Sequence, residues 1–255
     1  MQEKGHLHPI THAINDIVRI FNEMGFAVAE GPEVETEHYN FDALNVPPNH
    51  PARDMWDTFW LRGNQQFPIS NFQFSKNPER LLLRTHTSPV QIRHMEKHAP
   101  PIRVIAPGKV FRYEATDATH EAQFYQIEGL MIGEDITLAH MKGILEVFFT
   151  KFFGKKASVR LRPSYFPFVE PGVEIDMTCF KCEGNGCSTC KGTGYIEIMG
   201  AGMVHPVVLN GVGIDSRKWQ GFAFGGGIDR LAMLKYGIDD VRRLYEGDLR
   251  LIAQF

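Results

Sequence analysis

Ile10, Ala13, Ile14, Ile17, Val18, Phe21 and Met24 recur at helical spacing, which predicts an amphipathic helix over 10–24, with Pro9 suited to its first turn and Gly25 to its stop. The period then changes. Phe26, Ala27 and Val28 start a short strand that runs into Glu30-Gly31-Pro32-Glu33. Residues 81–83, three leucines, read as a buried strand that meets a helix, with Ser88 as its cap and Pro89 in its first turn. Between Gly108 and Gly133, Val110-Phe111 and Phe124-Tyr125-Gln126-Ile127 are β-prone runs joined by a polar loop over 115–121. Residues 136–153 place Leu138, Met141, Ile144, Leu145, Phe148 and Phe152 on one side of a second long helix. Residues 165–172 contain Pro167, which cannot donate to a ladder, so the segment reads as an edge or irregular strand. Two further runs, 173–177 and 195–198, form a hairpin, and the glycine-rich stretch from Gly221 carries a strand into a helix over 231–236. Strand hairpins without strand-helix-strand alternation predict an α+β fold.

At 255 residues and 43% hydrophobic content, the chain can bury one large core or two small ones. A net charge of −3 leaves no overall electrostatic footprint for nucleic acid, so an RNA substrate would need a local basic patch or another subunit. No apolar run approaches the roughly 18 residues of a membrane span. The first residues, MQEKGHLHP, lack a signal peptide's layout, and a cytoplasmic, non-membrane protein is expected.

All four cysteines fall in the tip of the predicted hairpin, as Cys179-x2-Cys182-x4-Cys187-x2-Cys190. Two such pairs across a glycine-rich turn offer four thiolates for tetrahedral Zn²⁺, and in a reducing compartment metal is favoured over disulfides. A four-thiolate site keeps no open position, so residues 177–195 are expected to form a structural zinc hairpin.

Polar residues inside the predicted strands mark candidate chemistry. Arg112 and Glu114, like Gln126 and Glu128, are two apart, so each pair projects from one face of a sheet. That face is either the wet side of an ordinary hairpin or the floor of a site for a charged ligand, with Thr119 and His120 in the loop above it. Phe166 and Phe168 are either core aromatics or two walls of a slot for a flat ring. His86 and Ser88 by themselves read as a structural histidine and a helix cap.

Phe111-Arg112-Tyr113-Glu114, the loop with Thr119-His120, and Phe124-Tyr125-Gln126-Ile127-Glu128-Gly129 resemble the second signature motif of class II aminoacyl-tRNA synthetases, in the wording of the bacterial phenylalanyl α subunits. The helix and strand up to Pro32 resemble the first motif, and Gly221 to Leu231 with Arg230 resembles the third. The resemblance covers essentially residues 1–255 and implies a mainly antiparallel sheet flanked by helices. It implies ATP-dependent activation of phenylalanine and transfer to the terminal ribose of tRNA(Phe), with a β subunit in an (αβ)2 heterotetramer.

By the same resemblance Arg112 holds the α-phosphate and Arg230 the γ-phosphate of ATP, His120 touches the phosphates, and Phe124 stacks the adenine with Glu114 at its amino group. Mg²⁺ is expected on the phosphates. Trp56, His86, Ser88, Gln126 and Glu128 would orient the amino acid, with Phe166, Phe168, Val169, Ala223 and Gly225 around its ring. Ala223, set in the glycine-rich turn, is expected at the para position. The resemblance also places the first motif almost at the start, so the helical tRNA-binding arm of full α subunits is expected to be absent. Two rival readings stand beside this one: a catalytically silent relative that binds an amino acid or a partner, and a zinc-ribbon binding module.

Overall fold

The computed structural model describes residues 5–53, 57–61 and 80–255. Helix α1 (Pro9–Glu23) leads through β1 (Ala27–Val28), β2 (Val34–Thr36) and the short α2 (Glu37–Asn40) to β3 (Leu81–Leu83) and α3 (Pro89–Met95). A long hairpin follows, β4 (Ile102–Phe111) and β5 (Gln123–Gly133), and then α4 (Leu138–Phe153). The remaining strands are β6 (Val159–Phe166), β7 (Val169–Thr178), β8 (Tyr195–Val204) and β9 (Gln220–Gly227), with α5 (Pro206–Gly211) before β9 and α6 (Ile228–Tyr236) and α7 (Leu249–Ile252) after it.

The long helices carry their own punctuation. In α1 the His8 ring accepts the Ile10 N–H and Pro9 fills the first turn, where its missing N–H costs nothing. Thr137 caps α4 in a reciprocal box with His140, and Gly154 ends that helix in the left-handed region.

Seven strands form one sheet in the order β1-β4-β5-β9-β8-β7-β6; β1 runs parallel to β4, and every other neighbouring pair is antiparallel. Strand β3 instead pairs with β2 in a separate two-stranded sheet. Alternation along β5 divides the core. Ile127 and Met131 point to the face covered by α1, α4 and α6, where Phe21, Phe148, Phe149, Phe152 and Phe224 pack. Leu130 and Ile132 point to the other face, among Phe41, Leu44, Val90 and Ile92. Gln126 and Glu128 have the same parity as Leu130, so the polar pair opens onto this second face.

Several sequence expectations need correction. The first strand of the long hairpin begins at Ile102, six residues before Gly108; the alternation of Ile102, Val104 and Ala106 was obscured by Pro107. That proline falls past the end of β1, where one side of β4 carries no ladder. The same strand stops at Phe111, so Arg112 and Glu114 lie beyond it, although the Arg112 N–H still donates to the Ala122 carbonyl. Residues 165–172 are not one strand. Phe166 ends β6, Pro167 and Phe168 make the turn, and Val169 begins β7, which puts the proline where no N–H is needed. Ala223 sits in mid-strand in β9, paired with Leu130 and Gly202, and not in the glycine-rich turn. Helix α6 starts at Ile228, three residues earlier than its pattern suggested. Finally, Ser88 occupies the N-cap position of α3 but makes no capping hydrogen bond, because its hydroxyl is engaged by Glu128.

The Phe224 ring lies directly over Gly129, its cross-strand partner, and a methyl on Gly129 would stand 2.1 Å from Cζ of that ring. Phe224 is fully surrounded and cannot swing away. Gly129→Ala is therefore expected to lower the unfolding free energy by about 1–3 kcal/mol, the cost of overpacking a filled core. Denaturant titration measures it; an unchanged midpoint would show that the ring yields freely.

Candidate functional site

Two cavities open on the polar face of the sheet. The first, about 160 Å³, is lined by His86, Ser88, Arg112, Gln126, Glu128, Phe166, Phe168, Val169, Ala223 and Gly225, together with Gly200, Ala201 and Phe224. All residues expected around the amino acid therefore meet here except Trp56, which lies outside the described residues. The second cavity, also about 160 Å³, is lined by Arg112, Glu114, His120, Phe124 and Arg230, with Thr119, Glu121, Gly227, Asp229 and Val241. This gathers the residues expected to hold ATP. Arg112 belongs to both walls.

The first cavity has two chemically different ends. At the apolar end the rings of Phe166 and Phe168 stack with centroids 6.1 Å apart and planes 25° from parallel. They stand over β8 and β9, where the cross-strand pairs Gly200–Gly225 and Gly202–Ala223 provide a floor almost without side chains. The turn that carries the two rings is held by Asn45, whose Nδ2 donates to the Pro167 carbonyl at 2.7 Å.

At the polar end Gln91 donates to Glu128 Oε1 at 2.6 Å from α3. Burial pushes the Glu128 carboxyl up to about 8, against the opposing pull of hydrogen bonds from Ser88 and Gln91. Gly225 faces Glu128 across the strands, and a methyl there would stand 2.6 Å from Oε2, so only glycine leaves room for this carboxyl. Gln126 Oε1 is buried and has no hydrogen-bond partner among the described residues, an acceptor available to a ligand donor. His86 is held neutral: burial first, then the charges of Arg112 and Arg84, bring its pKa down to about 3.

Arg112 is positioned by its backbone surroundings. Its Nε donates to the Thr85 carbonyl at 3.1 Å, and Nη1 lies 3.8 Å from Glu114 Oε1. Thr85 is fixed in turn by Asn40, which gives one hydrogen bond to its hydroxyl at 3.0 Å and takes one from its N–H at 3.2 Å. The guanidinium also lies 5.1 Å from the centre of the Phe124 ring. In the second cavity Arg230 Nε donates to the Glu197 carbonyl at 3.0 Å. Asp229 beside it is buried and accepts from the Tyr125 N–H at 2.7 Å and from the Tyr245 hydroxyl; burial raises its pKa to about 6. The His120 ring is exposed and pairs with Asp117 at 2.9 Å.

Asn40, Asn45 and Gln91 were not singled out as site residues in the sequence. Asn40 is completely buried, yet it sits in a polar stretch, Glu37-His38-Tyr39-Asn40, whose pattern does not distinguish it from its half-buried and exposed neighbours.

At the far end of β7 and β8 the four cysteine sulfurs lie within 4.8 Å of one another. Cys179–Cys187 and Cys182–Cys190 are both 3.7 Å apart and Cys187–Cys190 3.8 Å. A tetrahedron with bonds of about 2.3 Å has edges close to these. Burial raises the Cys190 thiol, but the N–H groups of Cys187 and Gly194 and the neighbouring sulfurs outweigh it and bring the pKa to about 6. Burial instead pushes the Cys179 thiol up to about 11, so the four differ in ease of ionisation, and a soft cation would ionise them together.

A family profile described as tRNA synthetases class II core domain (F) matches residues 1–255. The phenylalanine–tRNA ligase alpha subunit of Alkaliphilus metalliredigens is 55% identical over 254 residues, covering 100% of this chain and 70% of that protein. The protein of the same name from Bacillus subtilis is 54% identical over 253 residues, 98% of this chain and 69% of its own length. Among solved structures, the pyrrolysyl-tRNA synthetase of Desulfitobacterium hafniense superposes with a TM-score of 0.66 over 94% of this chain and 74% of its own, at 16% identity. At that identity the likeness concerns the fold alone.

A Glu128 carboxyl at about 8 would make the binding of an ammonium ligand in this cavity pH-dependent. Below that pH the empty site holds a proton that a ligand ammonium must displace, so one proton is released on binding. Affinity for phenylalanine is expected to climb by up to about tenfold per pH unit from about pH 6 and to level off near pH 8. Calorimetry in buffers of different ionisation enthalpy measures the proton; a flat profile, or one that Glu128→Gln leaves unaltered, would place the titration elsewhere.

Proposed function

The chain belongs to the family of class II core domain (F) tRNA synthetases, and from that premise we propose that it activates L-phenylalanine with ATP and transfers the phenylalanyl group to the 3′-terminal ribose of tRNA(Phe). The observation that carries this reading is the place of Arg112, a cation on the wall shared by an aromatic-sided cavity and a cavity bearing a second arginine. A carboxylate in the first and an α-phosphate in the second would meet at its guanidinium.

In the first cavity the ring of phenylalanine lies between Phe166, Phe168 and Val169 on the floor that includes Ala223 and Gly225. Its ammonium faces Glu128 and Gln126 Oε1, and neutral His86 and Ser88 complete the polar end without adding positive charge. Trp56 lies outside the described residues, and its assignment rests on resemblance alone. In the second cavity adenine packs on Phe124 near Glu114, and the phosphates run from Arg112 past His120 to Arg230. ATP arrives as its Mg²⁺ complex, the ion riding on the phosphates.

A carboxylate oxygen of phenylalanine forms a bond to the α-phosphorus, and the bond to the bridging oxygen breaks with its electron pair leaving on pyrophosphate. The attacking carboxylate is already ionised at neutral pH, so no general base is needed. Arg112 supplies fixed positive charge where negative charge develops, and the two cavities supply alignment. In the second step a ribose hydroxyl forms a bond to the activated carbonyl carbon, the bond from that carbon to the phosphate oxygen breaks with its electron pair leaving on AMP, and the hydroxyl proton is released with it.

The sulfur cluster of Cys179, Cys182, Cys187 and Cys190 fits Zn²⁺, which would supply cross-linking of the hairpin and no chemistry at the reacting atoms. The alpha-subunit designation of the relatives supports a β partner, and we take the working assembly to be an (αβ)2 heterotetramer in the cytoplasm. Among the described residues no helix is long and apolar enough to cross a membrane.

Arg112→Ala, assembled with the β subunit, is expected to lose on the order of 10²-fold or more in kcat for ATP–pyrophosphate exchange, with a much smaller change in phenylalanine affinity. Loss of affinity with unchanged turnover would make Arg112 a ligand for the ground-state carboxylate only. A wild-type protein that binds phenylalanine without exchange would be the silent relative. Metal analysis of protein purified without added zinc is expected to find about one equivalent per chain. Absence of metal together with four freely titrating thiols would remove the zinc assignment.

A further inference from the structure

The cavity around Phe124 does not end at Arg230. A third cavity, about 290 Å³, shares Thr119, Asp229, Arg230 and Val241 with it and is closed on its far side by Lys181 and Thr189 of the cysteine hairpin. The two form one cleft that runs from Arg112 along the first turn of α6 to the hairpin tip.

Lys181 stands between Cys179 and Cys182, so the sulfur cluster fixes its backbone. The residue before it is anchored on the opposite side: the Phe180 ring stacks on Phe153 of α4 at 4.8 Å, and Lys155 Nζ donates to the Phe180 carbonyl at 3.2 Å. Among the described residues neither Lys181 nor Arg230 makes an ion pair. The carboxylates on the same wall are already engaged, Asp229 by Tyr125 and Tyr245, and Asp239 by Arg243 at 3.0 Å. Two cations without an ion pair over one cleft, one of them at the expected γ-phosphate position, outnumber the one carboxyl there that no cation pairs, Asp229, and suit a polyphosphate.

We propose that Lys181 is a phosphate-binding residue of the activation site, and that the cysteine hairpin serves to hold its ammonium at the β- and γ-phosphate end of the cleft, where the pyrophosphate leaving group is stabilised and released. The proposal rests on the phenylalanine-activating reading above and extends it to a role for the hairpin. As the bond from the α-phosphorus to the bridging oxygen breaks, the added negative charge falls on pyrophosphate; Lys181 and Arg230 meet that charge without any proton transfer.

The test uses the zinc-loaded enzyme assembled with its β subunit, as wild type, Lys181→Ala and Lys181→Arg. In Lys181→Ala the KM for pyrophosphate in the exchange reaction is expected to rise about tenfold, the scale of one charge-assisted hydrogen bond, with a parallel rise in KM for ATP. The KM for phenylalanine, the zinc content and transfer to tRNA from preformed adenylate should stay as in wild type, and Lys181→Arg should recover most of the pyrophosphate affinity. Unchanged pyrophosphate and ATP parameters in Lys181→Ala overturn the proposal. So does a loss confined to transfer, which would assign the lysine to an RNA phosphate. Equilibrium binding of inorganic pyrophosphate to wild type and Lys181→Ala separates the two levels: a wild type without exchange overturns the phenylalanine-activating reading. A binding difference between the two proteins keeps the lysine in its phosphate role even then, and equal binding ends it.

Discussion

Residues Arg84 to Ser88 are five consecutive polar side chains, all buried. Putting such a run inside a protein is costly unless its groups find partners; Thr87 Oγ1 has none among the described residues, but much of the surrounding architecture can be read as the partners that Arg84, Thr85 and Ser88 recruit. Arg84 donates to the carbonyls of Lys109 and Gly31, stitching β4 to the segment after β1. Thr85 takes both arms of Asn40 and lends its carbonyl to Arg112. Ser88 turns from its helix to Glu128. The run therefore fixes the arginine at the junction of the two cavities and the carboxyl at the end of one of them. It does so from a segment joining a two-stranded sheet to a short helix, neither of which belongs to the large sheet.

The fold was largely legible because its long elements carry strong periodicity. The faces of α1 and α4 and the hairpin around Phe124 to Ile127 follow directly from apolar spacing, and the cysteine spacing located the hairpin tip. What escaped the pattern has a physical reason in each case. Proline misled twice, once inside β4, where no neighbour claims its missing donor, and once at the Phe166 turn. Arg112 and Glu114 seemed to belong to a strand because their spacing is that of a strand, but the ladder ends one residue earlier. Residues whose part is to be absent, such as Gly200 and Gly225, and buried amides such as Asn40 and Gln91, carry no periodic signal; their meaning exists only in what approaches them.

The candidate site was less legible from residue types than from motif resemblance. Read by itself, His86 is a structural histidine, and the structure holds it neutral by burial and by two nearby guanidinium groups. That same neutrality suits a place beside a ligand ammonium, where a second positive charge would repel. Ser88 was read as a cap and is diverted from capping by Glu128. Buried polar groups engaged by other elements instead of by their own secondary structure are the feature these positions share, and it becomes visible only after folding.

The two ends of the first cavity would impose two kinds of selectivity on the proposed amino acid. At the polar end, discrimination would be strong: a ligand without an ammonium would leave Gln126 Oε1 without a donor, and buried unpaired polar atoms are costly. At the ring end, Phe166, Phe168, Val169 and Ala223 offer only shape. An apolar pocket rejects an added hydroxyl by no more than about 10²-fold, so side-chain selectivity here depends on volume. Volume discriminates only if the walls do not move. The floor is the paired backbone of β8 and β9, braced from behind by Phe222 and Phe224 in the large aromatic core, and the walls are tied down through Asn45 and Pro167. The packing on the helical face of the sheet thus braces the cavity on the other: loosening the Phe21, Phe148 and Phe224 cluster would let the ring end of the cavity widen before it unfolded the protein.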